Sequence, residues 1–299
     1  MTCAKRHDLP KFGYCLFVVR RPVDSLSAVL FCLVYQRLGP YTHAMKKPHA
    51  VATLRSQRLA ASSKPYLARG SASVRCAGCR LVASHCLCDL RPKLAVNVGV
   101  CLIMGDIEAL KPSNTGWLVA DVVPDTFAFT WARTAVDPQL LAVLRDPQWQ
   151  PYVVFPAEFV QPERVVTSVA PQAQPTSERP AKRPLFVLLD GTWSEARKMF
   201  RKSPYLDAFP VLSLHPGISS NYRLRRSSRD DHFCTSEVAA LCLALAQEPV
   251  AASTLANYLD VFTNHYLSAV RRQPPDRNSE AHQRLSHAFY VPSATAIHE

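Results

Sequence analysis

Continuous apolar runs and stretches of helical spacing alternate along most of the chain. The runs LAVNVGVCLIM (94–104) and LFVLL (185–189) are typical of strands that are buried on both faces. Helical patterns follow at TWSEARKMFRK (192–202), near 236–247 and at 253–272, where apolar residues recur every three or four positions. Alternating buried strands and helices predict an α/β fold with a mostly parallel sheet.

The first 70 residues do not show the pattern of a folded domain. They are rich in Arg, Ser and Ala, and the apolar run 26–35 is too short to cross a bilayer. A signal peptide would need a cleavage site of small residues, but Arg37, Lys46 and Lys47 follow the run. The composition also resembles an organellar transit peptide. We expect residues 1–70 to form a disordered basic extension, with translation from a start codon upstream of the true one as another explanation.

The rest of the chain divides into three parts. We expect a small cysteine-rich metal module at 71–92, an α/β domain at 93–272 and a loose polar tail at 273–299. Residues 161–184 are rich in Pro, Gln and Ser, so we interpret them as a solvated loop within the α/β domain.

The net charge of +12 is concentrated at the N-terminus. Residues 1–75 carry a net charge of +11, and the remaining 224 residues carry +1. A nucleic acid that binds the folded part of the chain must therefore meet local basic patches.

Four of the ten cysteines lie close together, in the spacing Cys76-x-x-Cys79-x6-Cys86-x-Cys88. Such spacing in a long chain is typical of a tetrahedral zinc site in a reducing compartment. His85 and Asp89 lie beside the cysteines and could replace a ligand or hydrogen-bond to one. The alternatives are an iron–sulfur cluster and four unrelated cysteines. Four thiolates around one zinc ion would leave no open position for catalysis by the metal.

The turn Asp190-Gly191-Thr192-Trp193 directly follows the second apolar run. Thr192 and Glu195 have the spacing of a capping box, which predicts the start of a helix. Ligands of open α/β sheets bind beyond the carboxyl ends of the strands, so Asp190, Thr192 and Trp193 are candidate catalytic residues. The alternative is an ordinary turn in which Thr192 only caps the helix and Trp193 packs into the core.

Basic residues follow in two places. The helix after the turn carries four, which form either a solvated face or an RNA contact: Arg197, Lys198, Arg201 and Lys202. Further on, Arg223 and Arg225 would share one face of an extended segment, and paired guanidinium groups suit a carboxylate or a phosphate. Tyr222 offers stacking or a hydrogen bond. An edge strand with a charged face is the alternative.

Five segments, in this order, resemble the DTW-domain family of tRNA-uridine aminocarboxypropyltransferases. They are CAGCRLVASHCLC (76–88), EALKPSNTG (108–116), FPAE (155–158), LLDGTWSEARK (188–198), and SSNYRLRR (219–226) with FCTSEVAA (233–240). The resemblance covers roughly residues 75–250. It implies a fold related to the SPOUT methyltransferases, with S-adenosylmethionine at the C-terminal edge of a parallel sheet. It also implies a tRNA substrate and a 3-(3-amino-3-carboxypropyl)uridine product.

The resemblance also suggests roles for individual residues. Asp190 would be a general base or would orient the uridine, Thr192 would fix the turn, and Trp193 would shape the pocket. The expected contacts to S-adenosylmethionine are Ser219, Tyr222, Arg223, Arg225, Thr235 and Glu237. Arg226 and the basic helix would bind RNA, and the four cysteines would bind zinc.

The sequence departs from the family pattern at two places near the expected site. Gly105-Asp106 stands where the family usually has a His-Pro pair, and Trp117 stands where a basic residue is common. Two other functions remain open. One is an S-adenosylmethionine-dependent RNA methyltransferase, because it would share the fold. The other is a zinc-bearing tRNA-binding protein without catalysis, which the missing His-Pro pair favours. A radical iron–sulfur enzyme is disfavoured because the Cys-x3-Cys-x2-Cys spacing is missing. We expect a cytoplasmic protein with no membrane partner.

Overall fold

A six-stranded sheet with helices on both faces forms the folded part of the chain. The structure, a computed structural model, describes residues 48–67, 73–170, 182–214 and 233–289. Within these ranges the helices are α1 (Ala50–Ala60), α2 (Gly116–Val122), α3 (Pro138–Arg145), α4 (Trp193–Arg201), α5 (Thr235–Leu245), α6 (Pro249–Arg271) and α7 (Glu280–Phe289). The strands are β1 (Gly99–Met104), β2 (Thr126–Thr130), β3 (Trp149–Val154), β4 (Val165–Val166), β5 (Arg183–Asp190) and β6 (Val211–Leu212).

All the strand pairs are parallel, and the strand order is β2-β1-β5-β3-β6-β4. The two predicted apolar runs form β1 and β5, which lie side by side in the middle of the sheet. Their register runs from Gly99 opposite Leu185 to Met104 opposite Asp190. The predicted α/β class with a parallel sheet is therefore confirmed.

Alternate residues of the central strands enter two separate cores. From β1, Leu102 packs into the core formed with α2, α5 and α6, whereas Ile103 packs into the core formed with α3 and α4. From β5, Phe186 and Val187 divide in the same way. All six residues of β1 are buried, which explains why the run is continuous and not alternating.

Both ends of the folded region differ from the predicted boundaries. Residues 50–60, expected to belong to the extension, form α1, because Val51 is fully buried in the first core. Residues 280–289, expected to be part of a loose tail, form α7, where Leu285 is buried. Each helix buries too few apolar residues for its pattern to predict a packed element. Residues 1–47 lie outside the described residues.

The predicted loop 161–184 contains sheet residues at both ends. Val165 and Val166 form β4 at the edge of the sheet, and β5 already begins at Arg183. Residues 171–181, which include much of the Pro-rich sequence, lie outside the described part of the chain.

None of the helices in the described ranges has both the length and the apolar character that a membrane crossing requires.

Candidate active site and cysteine centre

Asp190 lies at a point where the chain connections of the sheet diverge. From β1 the chain continues to β2 on one side, and from β5 it continues to β6 on the other. The helices after these strands, α2 and α4, also pack on opposite faces. Such a divergence opens a crevice at the carboxyl ends of the two strands, where α/β proteins bind ligands. Asp190 ends β5 at this crevice, opposite Met104 at the end of β1.

The Asp190 carboxylate is buried and held from both sides. Its Oδ1 accepts a hydrogen bond from Thr235 Oγ1 at 2.7 Å, and its Oδ2 accepts one from Asn114 Nδ2 at 2.7 Å. The residue is only 2% exposed. Gly116 leaves room for it, because a Cβ at that position would lie 2.9 Å from Oδ2. Residues from two other elements therefore fix the orientation of this carboxylate.

Thr192 and Trp193 occupy the start of α4. Thr192 is the N-cap and forms the predicted capping box: its Oγ1 accepts from Glu195 N, and Glu195 Oε2 accepts from Thr192 N at 2.8 Å. Trp193 does not enter the core; its ring lies parallel to that of Phe155, with the ring centroids 5.6 Å apart. The indole therefore forms part of the surface next to the crevice.

Further carboxylates border the same crevice. The backbone N–H of Gly105, just after β1, donates to the Asp190 carbonyl oxygen at 2.8 Å. A Cβ at Gly105 would lie 3.4 Å from Glu108 Cγ and 3.5 Å from Glu195 Oε1. Glu108 is fully buried and forms an ion pair with Lys111. Glu195 is bonded to Thr192 at the start of α4, so both carboxylates that border the crevice already have partners.

The four clustered cysteines have the arrangement of a metal centre. Their sulfur atoms all lie within 4.8 Å of one another. The Sγ–Sγ distances are 3.6 Å for Cys76–Cys88, 3.7 Å for Cys79–Cys86 and 3.5 Å for Cys76–Cys86. A tetrahedral zinc ion with Zn–S bonds of about 2.3 Å separates its ligands by about 3.8 Å, so the sulfur positions fit zinc.

The four thiols differ in acidity, because the pKa of Cys79 is lowered, whereas burial raises that of Cys86 and the bond to Cys79 raises that of Cys88. A hydrogen bond from the Cys88 thiol, opposed by burial and assisted by backbone N–H groups, lowers the pKa of Cys79 to about 5. The thiolate is the form that binds metals. The two neighbouring candidates have other partners: His85 Nε2 lies 2.8 Å from the Gln273 carbonyl oxygen, and Asp89 pairs with Arg277.

Arg80 connects the cysteine module to the segment that holds Asp190. It follows Cys79 with a φ of 67°, and its guanidinium is buried. The guanidinium donates to the carbonyl oxygens of Lys111 and Asn114, both at 2.8 Å, and lies 4.2 Å from the ring centroid of Trp117. Asn114 is therefore bonded to the module through its backbone and to Asp190 through its side chain.

Gly78 makes a second contact between the cysteine module and α2. Its carbonyl oxygen accepts from Trp117 Nε1 at 3.2 Å and from Arg91 Nη2 at 2.6 Å. A Cβ at this position would lie 2.7 Å from Cys88 Sγ, so the sulfur cluster requires glycine here. Trp117 thus contacts both Gly78 and Arg80.

Asp121 joins several elements beneath the module. Its buried carboxylate lies 2.8 Å from Arg91 Nε and 3.5 Å from His49 Nε2, and it accepts from the Tyr258 hydroxyl at 3.2 Å. Burial raises the pKa of Asp121 to about 7. Burial, with the nearby Arg91 charge, lowers the pKa of His49 to about 3. Through these contacts Asp121 of α2 connects α1, the cysteine module and α6.

The structure brings together only part of the predicted site. Asp190 and Thr235 are in direct contact, while Glu237 accepts from Cys234 N at 2.8 Å in the first turn of α5. The four basic residues of α4 are exposed, and two of them pack their charged groups over rings: Arg197 over Phe159 and Lys198 over Trp131. The predicted positions Ser219, Tyr222, Arg223, Arg225 and Arg226 lie outside the described residues.

Sequence reasoning missed three residues that organise the site: Asn114, Arg80 and Asp121. Asn114 lies in the segment EALKPSNTG, and Arg80 lies inside the cysteine module, so both were within recognised motifs. Their contacts form only when distant parts of the chain meet, as for Asn114 and Asp190.

The parallel sheet, the buried acid at its divergence point and four clustered cysteines that could hold a metal ion place the chain among the α/β proteins with a small cysteine-rich module. A family model described as the DTW domain matches residues 73–267. The chain therefore belongs to the DTW-domain family, the domain of the tRNA-uridine aminocarboxypropyltransferases, which is consistent with a role in tRNA modification. No solved structure matches the chain.

Proposed function

We propose that the protein transfers the 3-amino-3-carboxypropyl group of S-adenosylmethionine to N3 of a uridine in tRNA. The observation that carries this proposal is the buried Asp190 carboxylate, held by Asn114 and Thr235 at the divergence point of the sheet within the motif of the family. The reaction would release 5′-methylthioadenosine. Such an enzyme would act on tRNA in the cytoplasm and have no membrane partner.

S-adenosylmethionine supplies an activated sulfonium, whose bond to the methionine γ-carbon breaks as uridine N3 forms a bond to the same carbon. The protein must present that carbon to N3 and help to remove the imide proton, so positioning supplies much of the rate.

Asp190 would orient the uridine or accept the imide proton. The hydrogen bonds from Asn114 and Thr235 would hold the carboxylate in one orientation for either role. Thr192 keeps the turn in place through its capping box, and Trp193 forms a wall beside it.

The other proposed contacts lie in the segment before α5 and at its first turn. Ser219, Tyr222, Arg223 and Arg225 would hold the methionine and adenosine parts, with one arginine on the carboxylate. Thr235 and Glu237 would position the start of α5 against the ligand. Arg226, the basic residues of α4 and the zinc module would bind tRNA through its phosphates and splayed-out bases.

Mass spectrometry of nucleosides tests this function. Unmodified tRNA incubated with the protein and S-adenosylmethionine should yield aminocarboxypropyluridine and 5′-methylthioadenosine. A methylated nucleoside would show a methyltransferase, and tRNA binding without any product would show a binding protein. We expect Asp190→Asn to lose at least about 100-fold in turnover with tRNA binding retained, as for a general acid–base group. The exposed Glu163→Gln is the matched control and should retain activity.

A further inference from the structure

Four aromatic rings form a cluster beside the Asp190 turn, which we call the aromatic cluster: Phe155, Phe159, Trp193 and Phe200. The Phe155 ring is stacked between Trp193, at 5.6 Å and an interplanar angle of 13°, and Phe200, at 4.3 Å and 6°. Phe159 meets both Phe155 and Trp193 edge-on, at 5.8 and 5.6 Å. The cluster thus joins the end of β3 to both ends of α4.

Burial separates the cluster into an inner and an outer part. Phe155 is 5% exposed and belongs to the second core, so packing accounts for it. Phe159 and Trp193 are each 37% exposed. Two large exposed aromatic residues in contact with each other, next to a ligand crevice, are typical of a binding surface.

Cationic groups lie over two rings of the aromatic cluster, one exposed and one half-buried. The guanidinium of Arg197 lies 4.8 Å from the Phe159 ring centroid, and that of Arg164 lies 5.9 Å from the Phe200 centroid. Arg201, the last residue of the same helix, and Lys202, its C-cap, are also exposed. Among the described residues, no carboxylate forms an ion pair with the four basic residues of α4. One acid, Glu158, is exposed beside Phe159.

This combination of rings and cations selects one kind of ligand. An RNA double helix presents phosphates and would use only the charges, and an acidic peptide has no flat base to stack. An unpaired nucleotide offers both a π face and a phosphate, and aromatic and Arg side chains are the usual partners of such bases. We propose that the aromatic cluster binds an unpaired nucleotide of the RNA substrate, with its base against Phe159 and Trp193 and its phosphate on Arg197.

The inference rests on the proposed RNA substrate but not on the proposed reaction, and a binding assay without S-adenosylmethionine tests it. The ligands are an RNA hairpin with an unpaired loop and a blunt RNA duplex with the same number of phosphates. Phe159→Leu keeps an apolar side chain but removes the ring, so it should weaken hairpin binding about tenfold, as expected for one base–aromatic stack. Its affinity for the duplex should not change.

Three further variants make the test specific. Phe159→Tyr keeps the ring and should bind the hairpin as the unmodified protein does. Arg197→Gln should weaken the binding of both the hairpin and the duplex. It should also reduce the slope of log affinity against log salt concentration by about one. Leu245→Ala is the matched control, because Leu245 is equally exposed but lies on α5 away from the cluster, and it should change nothing.

Unchanged hairpin affinity in a folded Phe159→Leu protein would overturn the inference, and so would an equal loss for hairpin and duplex. Displacement of the hairpin by polyglutamate at equal charge would also overturn it, since the surface would then recognise charge alone. The proposed reaction fails separately: selective hairpin binding through Phe159 with no aminocarboxypropyluridine formed would contradict the reaction and support the inference.

Discussion

At the scale of single residues, the site depends on what surrounds one carboxylate. The Asp190 carboxylate accepts hydrogen bonds from the Asn114 amide and the Thr235 hydroxyl, and Gly116 leaves the space that it occupies. A charged group is rarely buried unless it is bonded in this way. Small changes next to Asp190 should therefore alter the chemistry more than changes of similar size elsewhere.

Gly116→Ala tests this dependence. The added Cβ would lie 2.9 Å from Asp190 Oδ2 and 3.1 Å from Leu102 Cδ1, both closer than contact distance. We expect a loss of about 1–3 kcal/mol in the free energy of unfolding, as for other overpacked sites, and a larger relative loss of turnover. Urea unfolding and product formation measure the two effects. Gly105→Ala is the control, since its nearest contact would be 3.4 Å, and equal effects from both variants would contradict the argument.

At the scale of elements, the cysteine module supports the site through side chains rather than through the sheet. Arg80 bonds to the two carbonyl oxygens of the segment that carries Asn114. The capping box of α4 is formed locally, by residues three apart. The sequence pattern predicted the capping box for this reason. It could not predict the Arg80 contacts, because they join residues that are 31 and 34 positions apart.

Arg80→Ala should loosen the segment 111–117. It removes two charge-assisted hydrogen bonds and the contact with Trp117, so we expect a loss of roughly 3 kcal/mol in unfolding free energy. We also expect weaker S-adenosylmethionine binding, measured by calorimetry in the folded variant. Exposed Arg133→Ala should leave both unchanged. Normal cofactor affinity in Arg80→Ala would remove the positioning role.

The contact between α6 and α7 contains a buried histidine pair whose protons can be assigned. His265 Nδ1 lies 2.9 Å from the His85 carbonyl oxygen and must donate, so its Nε2 accepts from His282 Nε2 at 2.9 Å. His282 Nδ1 then accepts from the Ser279 hydroxyl at 2.8 Å. A proton added to His265 would place two N–H groups face to face. Burial, aided by the charge of Arg277, lowers the pKa of both histidines.

This assignment predicts how stability depends on pH. In the unfolded chain these histidines bind a proton near pH 6.5, whereas in the folded protein they bind it only at lower pH. Their contribution to the free energy of unfolding is therefore complete above pH 6.5 and is lost as the pH falls. Urea unfolding at pH 7.5 and 5.5 measures this effect. The free energy of unfolding should decrease less between the two pH values in His265→Gln than in the unmodified protein. Equal losses would show that the pair does not control this dependence.

At the scale of the whole molecule, the sequence predicted the parts of the fold that local patterns encode. The central strands are continuous apolar runs, and α5 and α6 have regular apolar spacing. The two end helices α1 and α7 were missed because each buries few apolar residues, such as Val51 and Leu285. In the site, motifs predicted Asp190 and the cysteines, but Asn114 reaches Asp190 across 76 positions, which no local pattern reveals.

Loss of the metal should affect the whole domain. Cys79→Ser removes one ligand, so we expect the zinc measured by elemental analysis to fall from one equivalent to none. We also expect the unfolding temperature to drop, by roughly 2–4 °C for each kcal/mol lost. Cys101→Ala, in the core, should lower the unfolding temperature while zinc stays bound. Retained zinc in Cys79→Ser would contradict the assignment of the centre.

The cysteine module is completed by residues from the far end of the chain. The His85 imidazole lies against the Gln273 carbonyl oxygen, 188 positions away, and Arg277 donates to the Cys86 carbonyl oxygen, 191 positions away. During synthesis the four thiols therefore leave the ribosome long before the segment that covers them. With elongation at about 5–20 residues per second, this interval lasts on the order of ten seconds or more. For the proposed zinc centre, metal binding would compete with oxidation of the thiols during that time, so the supply of zinc at the ribosome would help to determine how many chains reach the native fold.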